Sequence, residues 1–449
     1  MSCTMVLNRE DFEMNDRILM LIQYVTLSVW VMCLPYLYAQ SLPETMALAL
    51  DYNPHLAAQR EAMKAAQLQE KSIVRHTLPK LELDAGYRHI TERAELDFPA
   101  AGPIPGRTVQ LGVYDTYETG LTVNYALFTG FAQSNQRKLG RQQVQLTRQQ
   151  LIRLEKQIAF QTIVAYCKVQ QYDLEIAALN ASRDRSQLQL KRLKTMVDQG
   201  MALALDTLTL ALSRLSYDQK IIAADAQYQT ARQELAHLTG RNIQVSKADI
   251  PPLEIDPAEL DISINDDLKM LGLQMEGLQT HKALNEATYY PRIVSYAGLK
   301  YGKPGVDFIR NEWMSYAVWG VAMNWNLFSW GGDRLNAQSQ EVTLRQHQFQ
   351  YQAVQDQILT TYDHAVREYR AMVEQLKVLK QALELAQTRM HIIDTQYRKG
   401  ISTATDFNSA NLELSEAEIN QKRQLIRMRL KLNEIDWLSG QPINSWRVQ

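Results

Sequence analysis

Residues that could carry out catalysis are scattered through this chain of 449 residues and form no recognisable constellation. The sequence has no G-x-S-x-G nucleophile motif, no phosphate-binding loop and no C-x-x-C pair. No two histidines stand at the spacing of metal ligands, so we expect no metal site, no cofactor and no enzymatic activity. The eight histidines are His55, His76, His89, His237, His281, His347, His364 and His391.

Two aspartates occupy equivalent places in the two halves of the chain. Asp206 and Asp406 each lie six residues after a glycine, Gly200 and Gly400, and the two pairs are 200 residues apart. A glycine interrupts a long helical pattern at both places, so each aspartate is expected near the start of a returning helix. Asp is favoured there because its carboxylate accepts hydrogen bonds from free backbone N–H groups. Helix capping is therefore one interpretation of this pair.

The same repetition extends along most of the chain. Residues 120–133, "GLTVNYALFTGFAQ", return at 320–333 as "GVAMNWNLFSWGGD". Residues 78–87, "LPKLELDAGY", return at 290–299 as "YPRIVSYAGL", now at an offset of 212. The extra residues fall within 90–116, which we expect to be a surface loop because insertions concentrate in loops. The sequence therefore predicts a tandem duplication with repeats over 40–245 and 246–449.

Each repeat contains two predicted strands, with polar and apolar residues in alternation. The strands are expected at about 80–90, 114–128, 292–302 and 314–328. Period-two alternation places one face against an apolar medium and the other against a polar one. Aromatic residues flank the apolar band, as in transmembrane strands with interfacial girdles. The predicted lipid-facing girdle consists of Tyr117, Tyr125, Trp319 and Trp325, and the predicted lumen residues are Glu82, Asp84, Arg88, Thr122, Asn124, Asn324 and Asn326.

Long segments without helix breakers follow the second strand of each repeat. Residues 133–199 contain no proline and a single glycine, and residues 335–399 contain neither. About 65 helical residues would form a rod of roughly 100 Å. Ordinary globular helices average about 11–12 residues, so this length indicates a coiled coil or a helical tube.

Four lipid-facing strands cannot stand alone in a membrane. An open sheet edge leaves backbone groups unsatisfied in hydrocarbon, and about eight strands form the smallest barrels known. Several copies are therefore expected to share one barrel, which their long helices would extend.

The N-terminus has the pattern of a secretory signal peptide over residues 1–39, with Arg17 before an apolar run that ends at Ala39. An uncleaved anchor is the alternative, Met14 competes with Met1 as the start, and a lipid anchor at Cys33 stays open. Removal of this segment would leave Cys167 alone, so no internal disulfide is expected. The net charge of −1 gives no reason to expect a nucleic-acid partner.

Taken in order, these features resemble the TolC-type outer-membrane efflux channel family. The resemblance rests on the two halves, the "LPKL"/"YPRI" and "LF(T/S)" stretches, and the two "G-x₅-D" tips, and it covers roughly residues 42–440. It implies a homotrimer in the outer membrane, with a twelve-stranded barrel of four strands per chain and a long α-helical periplasmic tunnel. It also implies an inner-membrane pump and a periplasmic adaptor that contacts the helix tips near Gly200 and Gly400.

The resemblance further implies a periplasmic gate. Tyr397 aligns with a gate tyrosine that hydrogen-bonds an aspartate of the first tip, here Asp206, and Asp406 aligns with an aspartate of the narrowest ring. A gate arginine and a second ring aspartate fall at Ser402 and Ser409, so those elements of the family gate are in doubt here.

Two functions follow from these patterns. The favoured one is a passive exit duct of a tripartite efflux or type I secretion system, and the alternative is a secreted periplasmic coiled-coil scaffold without channel activity. The sequence does not identify the transported substrate.

Overall fold

The computed structural model describes residues 40–100, 102–103, 105–246, 256–257, 260–307 and 309–446. The predicted signal peptide, including Arg17 and Cys33, lies outside the described residues.

Each half of the described chain runs from short helix to strand pair to long helices. In the first half the elements are α1 (Leu42–Tyr52), α2 (Pro54–Arg75), β1 (Lys80–His89), β2 (Ala94–Phe98), β3 (Arg107–Leu111), β4 (Asp115–Phe128), α3 (Ala132–Asp198) and α4 (Ala204–Thr239). In the second half they are α5 (Asp266–Glu286), β5 (Arg292–Lys303), β6 (Met314–Asn324), α6 (Gly332–Arg398) and α7 (Ala404–Leu438). Short 3₁₀ turns cover Ile262–Ile264, Ala287–Tyr289 and Ile443–Ser445.

Four strands form one antiparallel sheet in the order β1-β4-β5-β6. Its register pairs Asp84 with Gly120, Gly120 with Lys300, and Lys300 with Tyr316. Even-numbered residues therefore oppose even-numbered residues across the four strands and share one face of the sheet, up to an irregularity between Ala126 and Phe128 at the end of β4.

Two features of the sheet differ from the sequence prediction. The segment expected to be a loop between β1 and β4 contains a hairpin, because β2 pairs with β3 from Ala94 opposite Leu111 to Phe98 opposite Arg107. The last strand is also shorter than predicted and ends at Asn324. Its neighbour β5 begins at Arg292, directly opposite Asn324, so the residues after Asn324 have no strand to pair with among the described residues.

The long helices agree with the predicted rods. Helices α3 and α6 each contain 67 residues, so each is roughly 100 Å long. Both end in a left-handed glycine, Gly200 or Gly400, each at φ +71°. In both turns the backbone N–H of the residue after the glycine donates a hydrogen bond to a carbonyl near the end of the helix. Met201 donates to the carbonyl of Met196, and Ile401 donates to that of Gln396. These bonds satisfy carbonyl groups that the helix end would otherwise leave free.

The hydrophobic core follows the middle and the tip of the helical rod. One cluster joins the middle of α3 to α1, α4 and α7 around Ile163, Tyr166 and Leu235. Another lies near the two tip turns around Leu210, Phe407 and Leu414. Within the described residues, no helix combines the length and the apolar character that a membrane-crossing helix needs.

A buried ion pair fixes the middle of the rod. Lys156 of α3 lies 2.5 Å from Asp266 at the start of α5 and donates to the carbonyl of Gly440 beyond α7, at 2.7 Å. Gln149 donates to the second oxygen of Asp266, at 2.8 Å. These bonds hold the starts and ends of the second-half helices against α3.

Candidate functional site: the two sheet faces and the helical tip

The even-numbered face of the sheet carries a network of charged and polar side chains. Lys300 of β5 lies 2.6 Å from Glu118 of β4 and 3.6 Å from Asp84 of β1. Tyr316 of β6 donates to the other oxygen of Glu118, at 2.5 Å. Thr122 donates to Asp84, at 3.0 Å. The network therefore connects all four strands on one face.

The structure places most of the predicted lumen residues on this face. Glu82 accepts a hydrogen bond from Asn124 at 3.1 Å, next to the Asp84 cluster. The strand register puts Arg88 and Asn324 on the same face, near opposite ends of the sheet. Asn326 lies beyond the end of β6. Lys300 and Tyr316 were missed as site residues, although their even positions in β5 and β6 could have indicated them.

All glycines of the four strands also lie on this even face. The side chain of Lys300 crosses Gly120, where a Cβ atom would lie 2.9 Å from Lys300 Cγ. The ring of Tyr296 covers Gly320 in the same way, with its hydroxyl 2.6 Å from the Cβ position. Because a glycine has no side chain, the long side chains of neighbouring residues can lie flat across it. The five glycines are Gly86, Gly120, Gly298, Gly302 and Gly320.

The odd-numbered face is apolar and exposed in the single chain. Trp319 is 82% exposed and Leu299 69%, and no described part of the chain covers them. The face is about as wide as four strands, and an apolar surface of this kind marks an interface or a membrane contact. The other large apolar residues of this face are Leu81, Leu83, Leu121, Val123, Val321 and Met323.

Aromatic residues lie at both ends of the odd face. At the end far from the long helices, the ring of Tyr117 lies 5.0 Å from Tyr87 and 6.2 Å from Trp313, which stacks on Tyr301 at 4.9 Å. Tyr87, Tyr301 and Trp313 were missed because the repeat comparison did not single out these strand ends. The predicted residue Trp319 lies within the apolar band.

The helix-proximal end carries the other predicted aromatic residues. Tyr125 lies opposite Ser295 near the end of β4. Trp325 lies just beyond β6, and its indole N–H donates to the carbonyl of Tyr289 at 3.0 Å.

At the opposite end of the molecule, the turns after α3 and α6 bring the predicted gate residues close together. Tyr397 is buried, and its ring packs 5.5 Å from that of Phe407. Burial raises the pKa of Tyr397, and the negative charge of Asp206 raises it further. The Tyr397 hydroxyl nevertheless has no hydrogen-bond partner among the described residues. In this single chain, Asp206 is thus an electrostatic neighbour of Tyr397 and not its hydrogen-bond acceptor.

Asp406 is the third residue of α7 and takes part in capping the start of that helix. Its carboxylate accepts hydrogen bonds from the hydroxyl and the backbone N–H of Thr403, at 2.6 and 3.0 Å, and its own N–H donates to the Thr403 hydroxyl at 3.1 Å. This reciprocal pair is a capping box. The Thr403 hydroxyl, with its backbone N–H, holds the pKa of Asp406 below the usual value. Ser402, at the position of the family's gate arginine, donates to Gln396 at 3.1 Å.

A seam of buried polar contacts joins the first-half helices to the second-half helices just above the tip. Asn411 of α7 is fully buried; its amide donates to the carbonyl of Ser182 at 3.0 Å and to the hydroxyl of Ser186 at 3.1 Å. Its oxygen accepts from Arg185, at 2.7 Å. Gln189 of α3 similarly donates to Asp394 of α6, at 2.6 Å. The sequence pattern did not reveal this seam, because each contact joins residues more than 200 positions apart.

No group of three or more potential metal ligands occurs in the part of the chain that the structure describes. The side chains at the tip and on the sheet instead form direct ion pairs and hydrogen bonds.

A two-faced sheet that continues into two pairs of long helices defines the class of outer-membrane channel proteins. Within that class, the chain belongs to the outer membrane efflux protein family, whose model matches residues 45–241 and 262–440. The resemblance expected from the sequence is therefore confirmed, as is the outer-membrane location that the family's description gives. The family consists of transport channels.

Solved structures of outer-membrane channels share this fold at low sequence identity. CusC matches with a TM-score of 0.73 at 13% identity, over 90% of this chain and 96% of its own. VceC from Vibrio cholerae matches with a TM-score of 0.68 at 16% identity, over 89% and 94% of the two chains. MtrE from Neisseria gonorrhoeae, in its open state, matches with a TM-score of 0.71 at 14% identity, over 90% and 89%. No protein with a curated description matches the sequence significantly.

Proposed function

We propose that three copies of this chain form one twelve-stranded β-barrel in the outer membrane, continued by an α-helical tunnel through the periplasm. The assembly acts as the passive exit duct of a tripartite efflux or type I secretion system. A tandem duplication gives each chain its two strand pairs and its two helical hairpins.

The observation that carries this proposal is the four-stranded sheet with two open edges and two unlike faces. Strands β1 and β6 each pair on one side only within the described chain. They run in opposite directions, so β6 of one copy can continue the antiparallel sheet by pairing with β1 of the next. Closure into a ring satisfies every strand edge, as hydrocarbon requires.

The distribution of side chains supports a definite orientation of this barrel. The even face, with its glycines and the Lys300–Glu118 network, faces the lumen, because a concave face leaves less room for side chains. The odd face, with Trp319 and Leu299, contacts outer-membrane lipid. Eight strands leave an interior that side chains fill, whereas twelve strands leave a water-filled passage.

The helical tip is the expected site of gating and of contact with other proteins. Asp206, Tyr397 and Asp406 form the periplasmic gate, and the turns at Gly200 and Gly400 meet a periplasmic adaptor of the membrane fusion protein class. An inner-membrane pump supplies the substrate. The duct itself is passive because the sequence contains no phosphate-binding loop that could power transport.

Extraction of the protein from outer membranes with detergent tests this function. We expect a trimer that resists denaturation by SDS until it is heated, and that conducts ions in planar bilayers. The scaffold alternative predicts a protein in the soluble periplasmic fraction that produces no conductance. Recovery of a non-conducting soluble protein would therefore overturn the proposal.

A further inference from the structure

Two helices of the rod expose apolar stripes that no described part of the chain covers. On α4, the stripe consists of Leu205, Leu208, Leu212, Leu215 and Ile222. On α6, the stripe consists of Val378, Leu385 and Ile392. Below we refer to these two sets as the α4 stripe and the α6 stripe.

Both stripes have the spacing of coiled-coil seams. The α4 stripe advances by three, four, three and seven residues, and the α6 stripe advances by sevens. A heptad pattern of this kind faces a partner helix along its whole length. Leu215 and Ile222 are nevertheless 54% and 71% exposed, and Leu385 and Ile392 are 71% and 49% exposed. A partner helix from outside the chain is therefore needed for each stripe.

The packing order of the helices places the two stripes on opposite outer sides of the chain. Helix α3 packs against both α4 and α7, and α7 packs against α6. Helices α4 and α6 do not pack along each other within the chain. When identical copies form a ring, the free side of α4 in one copy therefore meets the free side of α6 in the next.

Hydrogen bonds within the chain establish the relative heights of α4 and α6. Gln189 lies nine residues before the end of α3 and bonds Asp394, four residues before the end of α6. Ser213, nine residues after the start of α4, bonds Asn408, four residues after the start of α7. Helices α3 and α4 are antiparallel, as are α6 and α7. Both bonds therefore show that a position nine residues from the tip turn in the first half lies level with a position four residues from the tip turn in the second half. Ser213 of α4 lies at the height of Asp394 of α6.

This correspondence aligns the two stripes. Leu215 lies two residues above Ser213, and Ile392 lies two residues above Asp394. Ile222 and Leu385 each lie nine residues above those references. Rotation about an axis along the rod preserves height, so Leu215 of one copy faces Ile392 of the next, and Ile222 faces Leu385.

We propose that the α4 stripe of one copy packs on the α6 stripe of the next, with Leu215 against Ile392 and Ile222 against Leu385. This heterologous contact joins copies along roughly the last 30 Å of the rod, next to the tip. It rests on the proposed trimeric duct and specifies how its periplasmic end is held together. The occupant of both stripes is a second copy of this chain and not a helix of another protein.

Cysteine crosslinking in intact outer membranes tests the contact and its register. The variant with both Leu215→Cys and Ile392→Cys should, after oxidation or treatment with a short bifunctional thiol reagent, give covalent dimers and trimers on denaturing gels. Cys167 contributes little background, because complete burial raises the pKa of its thiol to about 12. The two single-cysteine variants measure any crosslinking that does not involve the pair.

The matched control is the pair Leu215→Cys and Leu385→Cys, which uses the same two faces out of register by seven residues, about 10 Å. It should crosslink at least tenfold less than the in-register pair. Equal crosslinking of both pairs would overturn the register. An SDS-resistant trimer without covalent species would overturn the contact but leave the duct intact, as would crosslinking of either cysteine to a different protein. Monomeric protein before any crosslinking would overturn both proposals.

Discussion

The ammonium group of Lys300 lies 2.6 Å from the carboxylate of Glu118 and thereby bridges two neighbouring strands of the sheet. The same group lies 3.6 Å from Asp84 on a third strand. One cation thus compensates two carboxylates on the face that we assign to the lumen. In a trimer this arrangement occurs three times around the barrel.

Replacement of Lys300 with Gln should make the barrel more selective for cations, because Asp84 and Glu118 then lose their counter-charge. The change should cost less than about 1 kcal/mol of stability, since these side chains are partly exposed. Reversal potentials in planar bilayers under a KCl gradient measure the effect. Lys303→Gln is the control, because Lys303 lies on the odd face opposite Tyr117. The same shift in both variants would contradict the assignment of faces.

An arginine in place of Val321 should destabilise the assembled barrel by about 2–4 kcal/mol, because Val321 lies on the odd face of β6, which we assign to lipid. Ala322→Arg is the matched control at nearly the same depth on the opposite face, and Asn324→Arg is a second one. Both control substitutions should change the stability of the assembled barrel little. The temperature at which the trimer dissociates in SDS gives the comparison, and equal tolerance of Val321→Arg and Ala322→Arg would exclude the proposed orientation.

Replacement of Asn411 with Ala should loosen the tip, because the half-buried guanidinium of Arg185 and the buried Ser186 hydroxyl lose this partner. Loss of a buried polar partner costs about 1–3 kcal/mol. We expect higher ion conductance and faster proteolysis near the tip. The control is Asn420→Ala on the exposed face of the same helix, which should change neither the ion conductance nor the rate of proteolysis. A closed, protease-resistant tip in the Asn411 variant would show that the seam does not restrain it.

The extent to which these features could be predicted depends on how far apart in sequence their contacts lie. The faces of β1 and β4 follow from alternation within ten to fourteen residues, and the ends of α3 and α6 follow from the glycines at 200 and 400. The β2–β3 hairpin was missed, because five-residue strands on either side of a proline-containing segment show little periodicity. The shortened end of β6 depends on where β5 begins, which no local pattern encodes.

At the tip, too, local features could be predicted from the sequence, whereas contacts between distant residues could not. Capping is expected from the sequence for both Asp206 and Asp406. The capping box with Thr403 confirms it for Asp406, whereas the helix that contains Asp206 has Leu203 at its cap position and no side-chain capping bond there. The surroundings of Tyr397 depend on Phe407 and Asp206, which reach it from other helices. Its gate role, together with that of Asp206, stays a prediction. We expect Asp206→Ala to raise single-channel conductance by loosening the closed tip. Tyr397→Phe should raise it less, because it removes a hydroxyl that has no hydrogen-bond partner among the described residues.

Asp406 is expected to combine two roles that can be separated by mutation. In the proposed ring, three copies of its carboxylate attract multivalent cations, so a trivalent or hexammine-type ion added on the periplasmic side should block the channel. Asp406→Asn should weaken this block, whereas Asp406→Glu, which keeps both the charge and a capping-box residue, should retain it. Planar-bilayer recordings of blocked and unblocked conductance give the comparison.

The capping role predicts how the block depends on pH. Hydrogen bonds from Thr403 lower the pKa of Asp406 in the folded chain. The carboxylate therefore contributes stability above its ordinary pKa, and that contribution is lost only as the pH falls through the lowered value. Repulsion among three carboxylates acts in the opposite direction and raises the pKa. Thr403→Ala removes the cap but leaves the ring charge, so the block at neutral pH should persist and its loss on acidification should move to higher pH. If Asp406→Asn leaves selectivity and block unchanged, while Thr403→Ala and Asp406→Asn destabilise the start of α7 equally, Asp406 acts only as a helix cap.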